Sequence, residues 1–327
     1  MTRPSEDSLI ARFFAPIAGE GALGLKDDAA RIVPRAGHDL VLTLDALVER
    51  GHFLPGDAPG SVARKALGVN VSDLAAKGAD PVGFLLGLAL PADWTEDWLA
   101  GFAGGLGEAA REWGCPLIGG DTVKASGALT LSVTALGEVP AGRMVRRTTA
   151  RPGDAVCVTG TIGDAALGLR LRGSPAWAAA LDPADRAHLA DRYLHPRPRI
   201  AFAAALRAHA HAAMDVSDGL VGDLAKLCRA SGVTAGIEAE RVPLSPAAAR
   251  ALRADPALLE PILTGGDDYE ILCTIPPERL AAAAAAAAEA GLSLTAIGAV
   301  REGSAPPLIR VNGAPHTFAR GSYSHFE

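Results

Sequence analysis

Six short segments of the chain place aspartate at or near the end of an apolar run, in several cases beside glycine or serine. The segments are Lys26-Asp27-Asp28, Thr43-Leu44-Asp45, Asn70-Val71-Ser72-Asp73, Gly119-Gly120-Asp121-Thr122, Asp215-Val216-Ser217-Asp218-Gly219 and Gly265-Gly266-Asp267-Asp268. Most of them follow β-like stretches. Carboxylates concentrated in one place repel one another unless cations neutralise them. Mg²⁺ is commonly held by a few carboxylates together with substrate phosphates. The segments therefore predict a magnesium-dependent enzyme that acts on phosphates.

The length and charge of the chain limit the alternatives. Its 327 residues exceed one typical core, so two domains are expected. A hydrophobic fraction of 49% and a charged fraction of 21% are those of an ordinary globular protein. The net charge of −6 argues against nucleic-acid binding, which normally requires a basic face. It leaves nucleotide binding open, because bound Mg²⁺ can invert the local charge.

The cysteines and the N-terminus predict a cytosolic location. Cys115, Cys157, Cys228 and Cys273 are scattered singly, a pattern typical of buried thiols in a reducing compartment. The first residues contain two acids and no long apolar core, so a signal peptide is not expected. The longest strongly apolar stretch, residues 81–91, is too short to span a bilayer.

The first half of the chain mixes strands and helices without a strict βαβ rhythm, which predicts an α+β domain. We expect helices over residues 6–14, 61–77 and 94–113, and strands over residues 40–44, 84–90 and 129–136. Gly119-Gly120-Asp121 is expected to be a turn. The segment from Arg143 to Asp154 is polar, basic and interrupted by Pro-Gly, which places a domain boundary there.

The second half opens with an expected strand at residues 155–159. Further helices are expected at 165–172, 199–210, 219–230 and 281–290, with a strand at 270–274. No G-x-x-x-x-G-K-[ST] segment occurs, so a P-loop is excluded. Gly160-Thr161-Ile162-Gly163 lacks the dinucleotide-binding spacing. It is better interpreted as a tight strand-to-helix turn, with an anion near the helix N-terminus as a further possibility.

Individual aspartates allow simpler interpretations. Asp45 alone could be a residue that terminates a strand, and Asp73 could be a helix cap. Asp121 is more informative, because the paired glycines before it let backbone approach a ligand closely. Asp215, Ser217 and Asp218 place two carboxylates and a hydroxyl within four residues, which favours a metal–phosphate site. Arginines 143, 146 and 147 could be a solvated face or could hold a phosphate.

Taken in order, these segments resemble one family, thiamine-monophosphate kinase, of the superfamily of aminoimidazole ribonucleotide synthetase and selenophosphate synthetase. The motifs that carry the resemblance run through essentially the whole chain. They are SLIARFF, KDDAA, LTLDALVERGHF, KALGVNVSDLAAKGADP, LIGGDT, RPGDAVCVTGTIGDAALGL, MDVSDGLVGDL, TGGDDYEI and a terminal HF. An early GHF together with a late TGGDDYE separates this family from the other branches.

The resemblance implies a two-domain fold and a reaction. Residues 1–148 would form an N-terminal α+β domain that binds ATP and Mg²⁺ and dimerises through its β-sheet. Residues 149–327 would form a C-terminal α/β domain, with a sheet flanked by helices, that supplies the remaining nucleotide and substrate contacts. The implied activity is ATP-dependent phosphorylation of thiamine monophosphate in the cytoplasm by a homodimer that contacts neither nucleic acid nor membrane. No general base is expected.

The same resemblance implies roles for individual residues. Metal ligands would be Asp28, Thr43, Asp45, Asp73, Asp121, Asp215 and Asp218. Contacts to ATP would come from Gly120, Asp121, Arg147 and Ser217. Contacts to thiamine phosphate would come from His52, Asp267 and a C-terminal aromatic residue, Phe318 or Tyr323.

The chain also departs from the family pattern. Lys26 stands where glycine is common, Leu44 replaces a hydroxyl residue, and Asp267 replaces the usual glutamate. Two alternatives therefore stay open. One is another ATP-dependent enzyme of the same superfamily with a different acceptor, and the other is a non-catalytic nucleotide sensor.

Overall fold

The structure, a computed structural model, describes residues 5–319 and 321–322. The chain divides into two compact units. The N-terminal unit contains Met1–Leu74 and Ala79–Arg143, and the C-terminal unit contains Ala75–Gly78 and Met144–Glu327. The division lies at the start of the polar segment that begins with Arg143.

The N-terminal unit has a four-stranded sheet and two long helices. Its elements are helix α1 (Glu6–Leu9), a π-helix (Ile10–Phe14), strand β1 (His38–Val48), α2 (Pro59–Ala76), β2 (Asp80–Leu90), α3 (Glu96–Trp113), β3 (Leu117–Lys124) and β4 (Thr130–Pro140). The strand order is β1-β4-β2-β3. The pairs β1·β4 and β2·β4 are antiparallel, and β2·β3 is parallel.

One face of this sheet is buried and the other is partly open. Phe84, Leu86, Leu88 and Leu90 are buried along β2, together with buried residues of α2 and α3. The two helices pack closely because glycines meet between them: a Cβ added to Gly105 would lie 2.4 Å from the Cα atom of Gly60. The opposite face of the sheet therefore remains available for ligands or other proteins.

The C-terminal unit has a seven-stranded mixed sheet flanked by helices. Its strands are β5 (Ala155–Thr159), β6 (Ala212–Asp215), β7 (Thr234–Glu238), β8 (Ile271–Ile275), β9 (Leu294–Arg301), β10 (Leu308–Val311) and β11 (Ala314–His316). The helices are α4 (Asp164–Leu171), α5 (Pro183–Leu194), α6 (Ala203–His209), α7 (Leu220–Ser231), α8 (Pro246–Ala254), α9 (Leu259–Thr264) and α10 (Pro277–Glu289). The order is β11-β10-β7-β9-β5-β8-β6, and β10·β7 is the parallel pair.

Residues on both faces of this second sheet are buried. Val156 and Val158 of β5 belong to a core cluster that includes residues of α4, α7 and α8. Cys157, between them, belongs to a second cluster with Phe202, Leu206 and residues of α10. Because side chains alternate along a strand, the sheet must be covered on both faces, which explains its apolar strands.

Three interpretations from the sequence are wrong. Gly119-Gly120-Asp121 lies inside β3 and is not a turn. Asp45 lies inside β1, which continues to Val48, and Asp73 lies inside α2 and does not cap it. Pairing with neighbouring strands extends β1 and β3 past the polar residues that would end an isolated strand, since tertiary pairing overrides local preference.

Candidate active site

The N-terminal unit contains a cavity of about 750 Å³ whose lining includes four acids, Glu6 and three aspartates. Asp27 and Asp28 come from the segment before β1, and Asp121 comes from β3. Apolar residues and hydroxyls complete the lining, among them Ile10, Phe14, Leu85, Ser132 and Thr134. An anionic wall beside apolar surface suits a ligand that arrives with cations and has an apolar part.

Backbone contacts hold the segment before β1 against β3. The amide of Gly19 donates a hydrogen bond to the carbonyl of Leu117 at 2.7 Å, and Arg31 donates to the carbonyl of Gly21 at 2.8 Å. Gly120 is required within β3, because a Cβ there would lie 2.1 Å from the carbonyl oxygen of Leu86. The glycine therefore permits close strand packing at the base of the cavity.

A second group of predicted site residues joins β1 to α2. The Thr43 hydroxyl donates a hydrogen bond to the Asp73 carboxylate. The backbone amide of Asp45 donates to Asn70 Oδ1 at 2.9 Å, and Asn70 Nδ2 donates to the carbonyl of Ala66 at 3.0 Å. The buried Asn70 thus fixes the backbone at Asp45.

The two groups point to opposite faces of the sheet. Asp121 pairs with Gly87, Gly87 with Ser132, and Ser132 with Ala46. Because adjacent side chains alternate between faces, Asp45 points away from the face that Asp121 shares with Ala46. Within this unit the structure therefore does not bring all the predicted acids together.

In the C-terminal unit, two predicted segments lie side by side. Asp215 ends β6, and residues 265–270 lead into β8, the antiparallel neighbour of β6. Asp267 donates its backbone N–H to the carbonyl of Ser217 at 2.9 Å. Tyr269 donates to the carbonyl of Val216 at 2.9 Å. The predicted ATP contact Ser217 and the predicted substrate contact Asp267 are therefore adjacent.

This close approach depends on glycine and on unusual backbone conformations. A Cβ on Gly266 would lie 2.2 Å from the carbonyl oxygen of Ser217. Asp267 and Tyr269 have φ values of 74° and 51°, in the left-handed region that non-glycine residues seldom occupy. Such conformations persist only where the surroundings hold them, and they concentrate at functional sites.

Asp223 and Lys226 of α7 support the turn that carries Ser217 and Asp218. The backbone amides of Ser217 and Asp218 donate to Asp223 Oδ2 at 3.0 and 2.9 Å. Lys226 Nζ lies 2.8 Å from Asp223 Oδ1 and also contacts the Asp218 carboxylate. One buried acid therefore orders the backbone of the turn, and one lysine forms ion pairs with both acids.

These contacts shift the pKa values of the group. Burial raises the pKa of the Asp223 carboxyl, although the hydrogen bond from Lys226 opposes that shift. Burial alone would lower the pKa of Lys226, but hydrogen bonds to Asp218 and Asp223 outweigh it and the pKa is raised. Lys226 is therefore a cation at neutral pH.

A buried charge network lies behind Asp267. Glu270 is fully buried, forms ion pairs with Arg192 and Arg199, and accepts a hydrogen bond from Thr159 Oγ1 at 2.7 Å. Asp268 accepts hydrogen bonds from the amides of Gly163 at 2.7 Å and Ala165 at 3.4 Å, at the start of α4. Burial raises the pKa of the Asp268 carboxyl well above its ordinary value.

The turn between β5 and α4 confirms the interpretation of Gly160–Gly163 as a tight connection. Gly160 and Gly163 have φ values of 56° and 88°. The carboxyl group at this helix N-terminus is the protein's own Asp268, in keeping with the affinity of helix N-termini for acidic groups.

The remaining predicted residues lie elsewhere. His52 Nδ1 accepts a hydrogen bond from the amide of Val48 at 3.1 Å, directly after β1. Arg147 is exposed, and its carbonyl accepts a hydrogen bond from Ser231. Phe318 packs against the core and makes an edge contact with His316. Tyr323 lies outside the described residues.

Sequence reasoning missed the residues that support the site. Asp268 and Glu270 lie in the quoted TGGDDYE motif, so their position was visible although their role was not. Arg192 and Arg199 come from α5 and from the segment after it, far away in sequence, and no local pattern marks them.

No three His, Cys, Asp or Glu side chains among residues 5–319 and 321–322 form a group that could hold a metal ion. Among the described helices, none has both the length and the apolarity needed to cross a membrane.

Comparison with known proteins identifies the family. Residues 26–139 match the N-terminal domain of AIR synthase related proteins, and residues 151–308 match the C-terminal domain. The chain is 44% identical over 305 residues to the thiamine-monophosphate kinase of Caulobacter vibrioides, covering 92% of this chain and 85% of that protein. It is 39% identical over 324 residues to the Escherichia coli K12 enzyme of the same name, covering 98% of each.

Solved structures agree with this match. The crystal structure of thiamine-monophosphate kinase from Stenotrophomonas maltophilia is 40% identical, with a TM-score of 0.81 over 94% of this chain and 95% of that chain. A protein named AaThiL, solved in complex with AMPPCP and TMP, is 34% identical, with a TM-score of 0.78 over 90% of this chain and 89% of that chain. Matches to both domains and identities of this size over nearly the full length lead to one conclusion: the chain belongs to the thiamine-monophosphate kinase family.

Proposed function

We propose that this protein transfers the γ-phosphoryl group of ATP to the phosphate of thiamine monophosphate, giving thiamine diphosphate and ADP. The observation that carries the proposal is the backbone hydrogen bond of 2.9 Å between Asp267 and Ser217. This hydrogen bond supports the proposal because the two residues that it joins are an expected substrate contact and an expected ATP contact. The chain is also 34% identical to a protein solved with AMPPCP and TMP.

The acceptor needs no general base. A phosphate monoester has a second pKa of about 6, so its oxygen is already anionic at pH 7. The obstacle is the approach of two polyanions. The work of the protein is therefore to position both phosphates and to lower their mutual repulsion.

The oxygen side chains of both units suit Mg²⁺, a hard cation that prefers oxygen ligands. Asp28, Thr43, Asp45, Asp73 and Asp121 of the N-terminal unit, with Asp215 and Asp218 of the C-terminal unit, would hold several ions. When bound, Mg²⁺ would neutralise phosphate charge and stabilise the in-line transfer. The carboxylates of these aspartates would act as metal ligands and would not carry protons.

Other residues would bind the two substrates. Gly120, Asp121, Arg147 and Ser217 would contact ATP. His52 and Asp267, with Phe318 or Tyr323, would contact thiamine monophosphate. Arg147 is exposed, and a guanidinium can hold a phosphate through two parallel hydrogen bonds.

We further propose that the protein is a homodimer joined through the sheet of the N-terminal unit. Leu40, Leu42 and Leu44, which alternate along β1, are 40, 60 and 59% exposed. Contiguous exposed apolar surface of this kind is typical of protein interfaces.

A cytoplasmic location is supported by the four free, buried cysteines, which are usual in reducing compartments.

The test is to incubate the purified protein with Mg-ATP and thiamine monophosphate and to measure thiamine diphosphate by chromatography. Thiamine serves as the control acceptor. We expect product from the monophosphate and none from thiamine. Tight ATP binding without product would contradict the proposal and would favour a different acceptor or a nucleotide sensor.

A further inference from the structure

Tyr269 contacts the acid that we assign to thiamine monophosphate. Its phenolic oxygen donates a hydrogen bond to Asp267 Oδ1 at 3.3 Å. The Tyr269 side chain is held in place, since the residue is only 9% exposed. A rigid aromatic donor beside a partly exposed carboxylate can restrict the orientations that the carboxylate samples.

The backbone around both residues is anchored from two directions. On one side, the amides of Asp267 and Tyr269 donate to the carbonyls of Ser217 and Val216, each at 2.9 Å. On the other side lies Asp268, whose carboxylate accepts from the start of α4.

Arg192 adds a further anchor behind the segment. Its Nη2 atom donates to the backbone carbonyl of Asp268 at 3.1 Å and to Glu270 Oε1 at 3.1 Å. The left-handed φ values of Asp267 and Tyr269 are therefore fixed by contacts, which is what such strained conformations require. Asp268 is buried between the two residues, while Asp267 and Tyr269 meet through their side chains.

We propose that Tyr269 is a positioning residue for thiamine monophosphate: its hydroxyl group fixes the Asp267 carboxylate in the orientation that binds the organic part of the substrate. This proposal rests on the proposed function. Thiamine offers a carboxylate two complementary features, a cationic thiazolium ring and an aminopyrimidine N–H donor. A carboxylate that is already oriented pays less conformational entropy when it binds either of them.

The proposal predicts an effect on one substrate and not on the other. Tyr269→Phe keeps the ring and removes the hydroxyl, so the KM for thiamine monophosphate should rise about 3- to 10-fold. The hydrogen bond of 3.3 Å is long for an O–H donor, which keeps the expected effect at this modest size. The KM for ATP and kcat should change by less than about twofold.

A double-mutant cycle tests whether Tyr269 acts through Asp267. Asp267→Gly removes both carboxylate oxygens and tolerates the φ of 74° at this position. It should raise the KM for thiamine monophosphate more than Tyr269→Phe does. The double variant should match Asp267→Gly alone, because the Tyr269 hydroxyl then has no carboxylate to orient. The matched control is Tyr193→Phe, which removes the hydroxyl of another buried tyrosine of the same unit. It should leave all three constants unchanged.

The outcomes separate this proposal from the one on which it rests. An unchanged KM for thiamine monophosphate in Tyr269→Phe would overturn it, as would an equal rise in the KM for ATP. A Tyr269→Phe effect that persists in the Asp267→Gly background would overturn it as well. A wild-type protein that makes no thiamine diphosphate would instead overturn the proposed function and, with it, this proposal. Calorimetric titration with thiamine monophosphate should show the same pattern in binding alone.

Discussion

The acids of the two units are held in different ways. In the N-terminal unit, Asp27, Asp28 and Asp121 are exposed on the wall of a cavity. In the C-terminal unit, Asp268 and Glu270 are buried and receive hydrogen bonds from backbone amides or from arginine. The exposed carboxylates of the N-terminal unit suit cations that arrive from solvent, whereas the buried Asp268 and Glu270 form the rigid support for a substrate contact.

The same comparison explains why buried acids need partners on the protein itself. Removing a charge from water costs several kcal/mol unless hydrogen bonds and a counter-charge replace the hydration. The exposed Asp121 carboxylate keeps its hydration and so loses little free energy. Glu270 is stable in the interior because two arginines and a threonine surround its carboxylate.

The largest effect is expected from the acids that would hold Mg²⁺. Asp121→Asn, at an exposed acid of β3, and Asp215→Asn, at the buried acid that ends β6, should each lower kcat/KM at least about 100-fold, because the amide keeps the shape but loses the charge that binds the cation. Steady-state assays of thiamine diphosphate formation measure this loss, and far-UV circular dichroism should show an unchanged fold.

Asp93→Asn is the matched control, since Asp93 is an exposed acid of the N-terminal unit that does not line the cavity. Its activity should equal that of the wild-type protein. Appreciable turnover by either Asp121→Asn or Asp215→Asn would contradict the assignment of these residues as metal ligands.

A second test compares buried and exposed counter-charges. Glu270→Gln leaves Arg192 and Arg199, whose side chains are 4 and 15% exposed, without their anion. Breaking a buried ion pair in this way should lower the free energy of unfolding by about 3–5 kcal/mol. Urea denaturation measures the change.

The comparison variant for this test is Glu138→Gln in the N-terminal unit. Glu138 is also buried, but its partner Arg35 is 56% exposed and can be hydrated once the anion is lost. The loss of stability should therefore be clearly smaller than for Glu270→Gln. Equal losses of unfolding free energy in the two variants would show that the exposure of the arginine partner does not determine how destabilising the substitution is.

The smallest effect concerns a buried acid that depends on a titratable partner. Burial would raise the pKa of Asp164, but hydrogen bonds from His188, Ser245 and Thr161 lower it overall. The hydrogen bond to Asp164 raises the pKa of His188. Protonated His188 therefore contributes stability that is complete below its unfolded-state pKa of about 6.5 and is lost as pH rises through its higher folded-state value.

Between pH 6 and pH 8 the wild-type protein should thus lose stability relative to His188→Gln, by less than about 1 kcal/mol because solvent screens this partly exposed pair. Thermal unfolding at a series of pH values measures the difference. The contribution of Asp164 to the free energy of unfolding depends on pH in the opposite sense. Because the pKa of Asp164 is lowered on folding, this contribution is lost only when the pH falls into the acidic range. Parallel pH profiles of the two proteins would contradict the role of His188.

Local sequence patterns predicted the long helices of the N-terminal unit and several strands, including both ends of β5, but they indicated no strand at β7, β9, β10 or β11 and no helix at α5, α8 or α9. The apolar runs around Phe84–Leu90 and Ala155–Thr159 are strands, because buried strands need apolar side chains on the faces they cover. The local sequence did not predict where β1 and β3 end. Strand pairing extends β1 past Asp45 and keeps Gly119–Asp121 in a strand.

For the candidate site, too, some features follow from the sequence and others only from the tertiary structure. The order of the aspartate-containing segments indicated the family. The aspartates themselves, several of them beside glycine, indicated a site rich in oxygen ligands. Only the tertiary structure decided that Asp45 and Asp121 lie on opposite faces of one sheet, since strand register fixes the direction of a side chain.

By itself, the sequence determined which residues carry charge and where the backbone can bend, because both are properties of the residues and their immediate neighbours. The tertiary structure alone decided which acids become buried and which partners they meet. Glu270 meets Arg192 and Arg199, and Asp268 meets the start of α4, through contacts between residues far apart in the chain. Burial and charge pairing arise from packing at long sequence separation, so no local pattern can encode them.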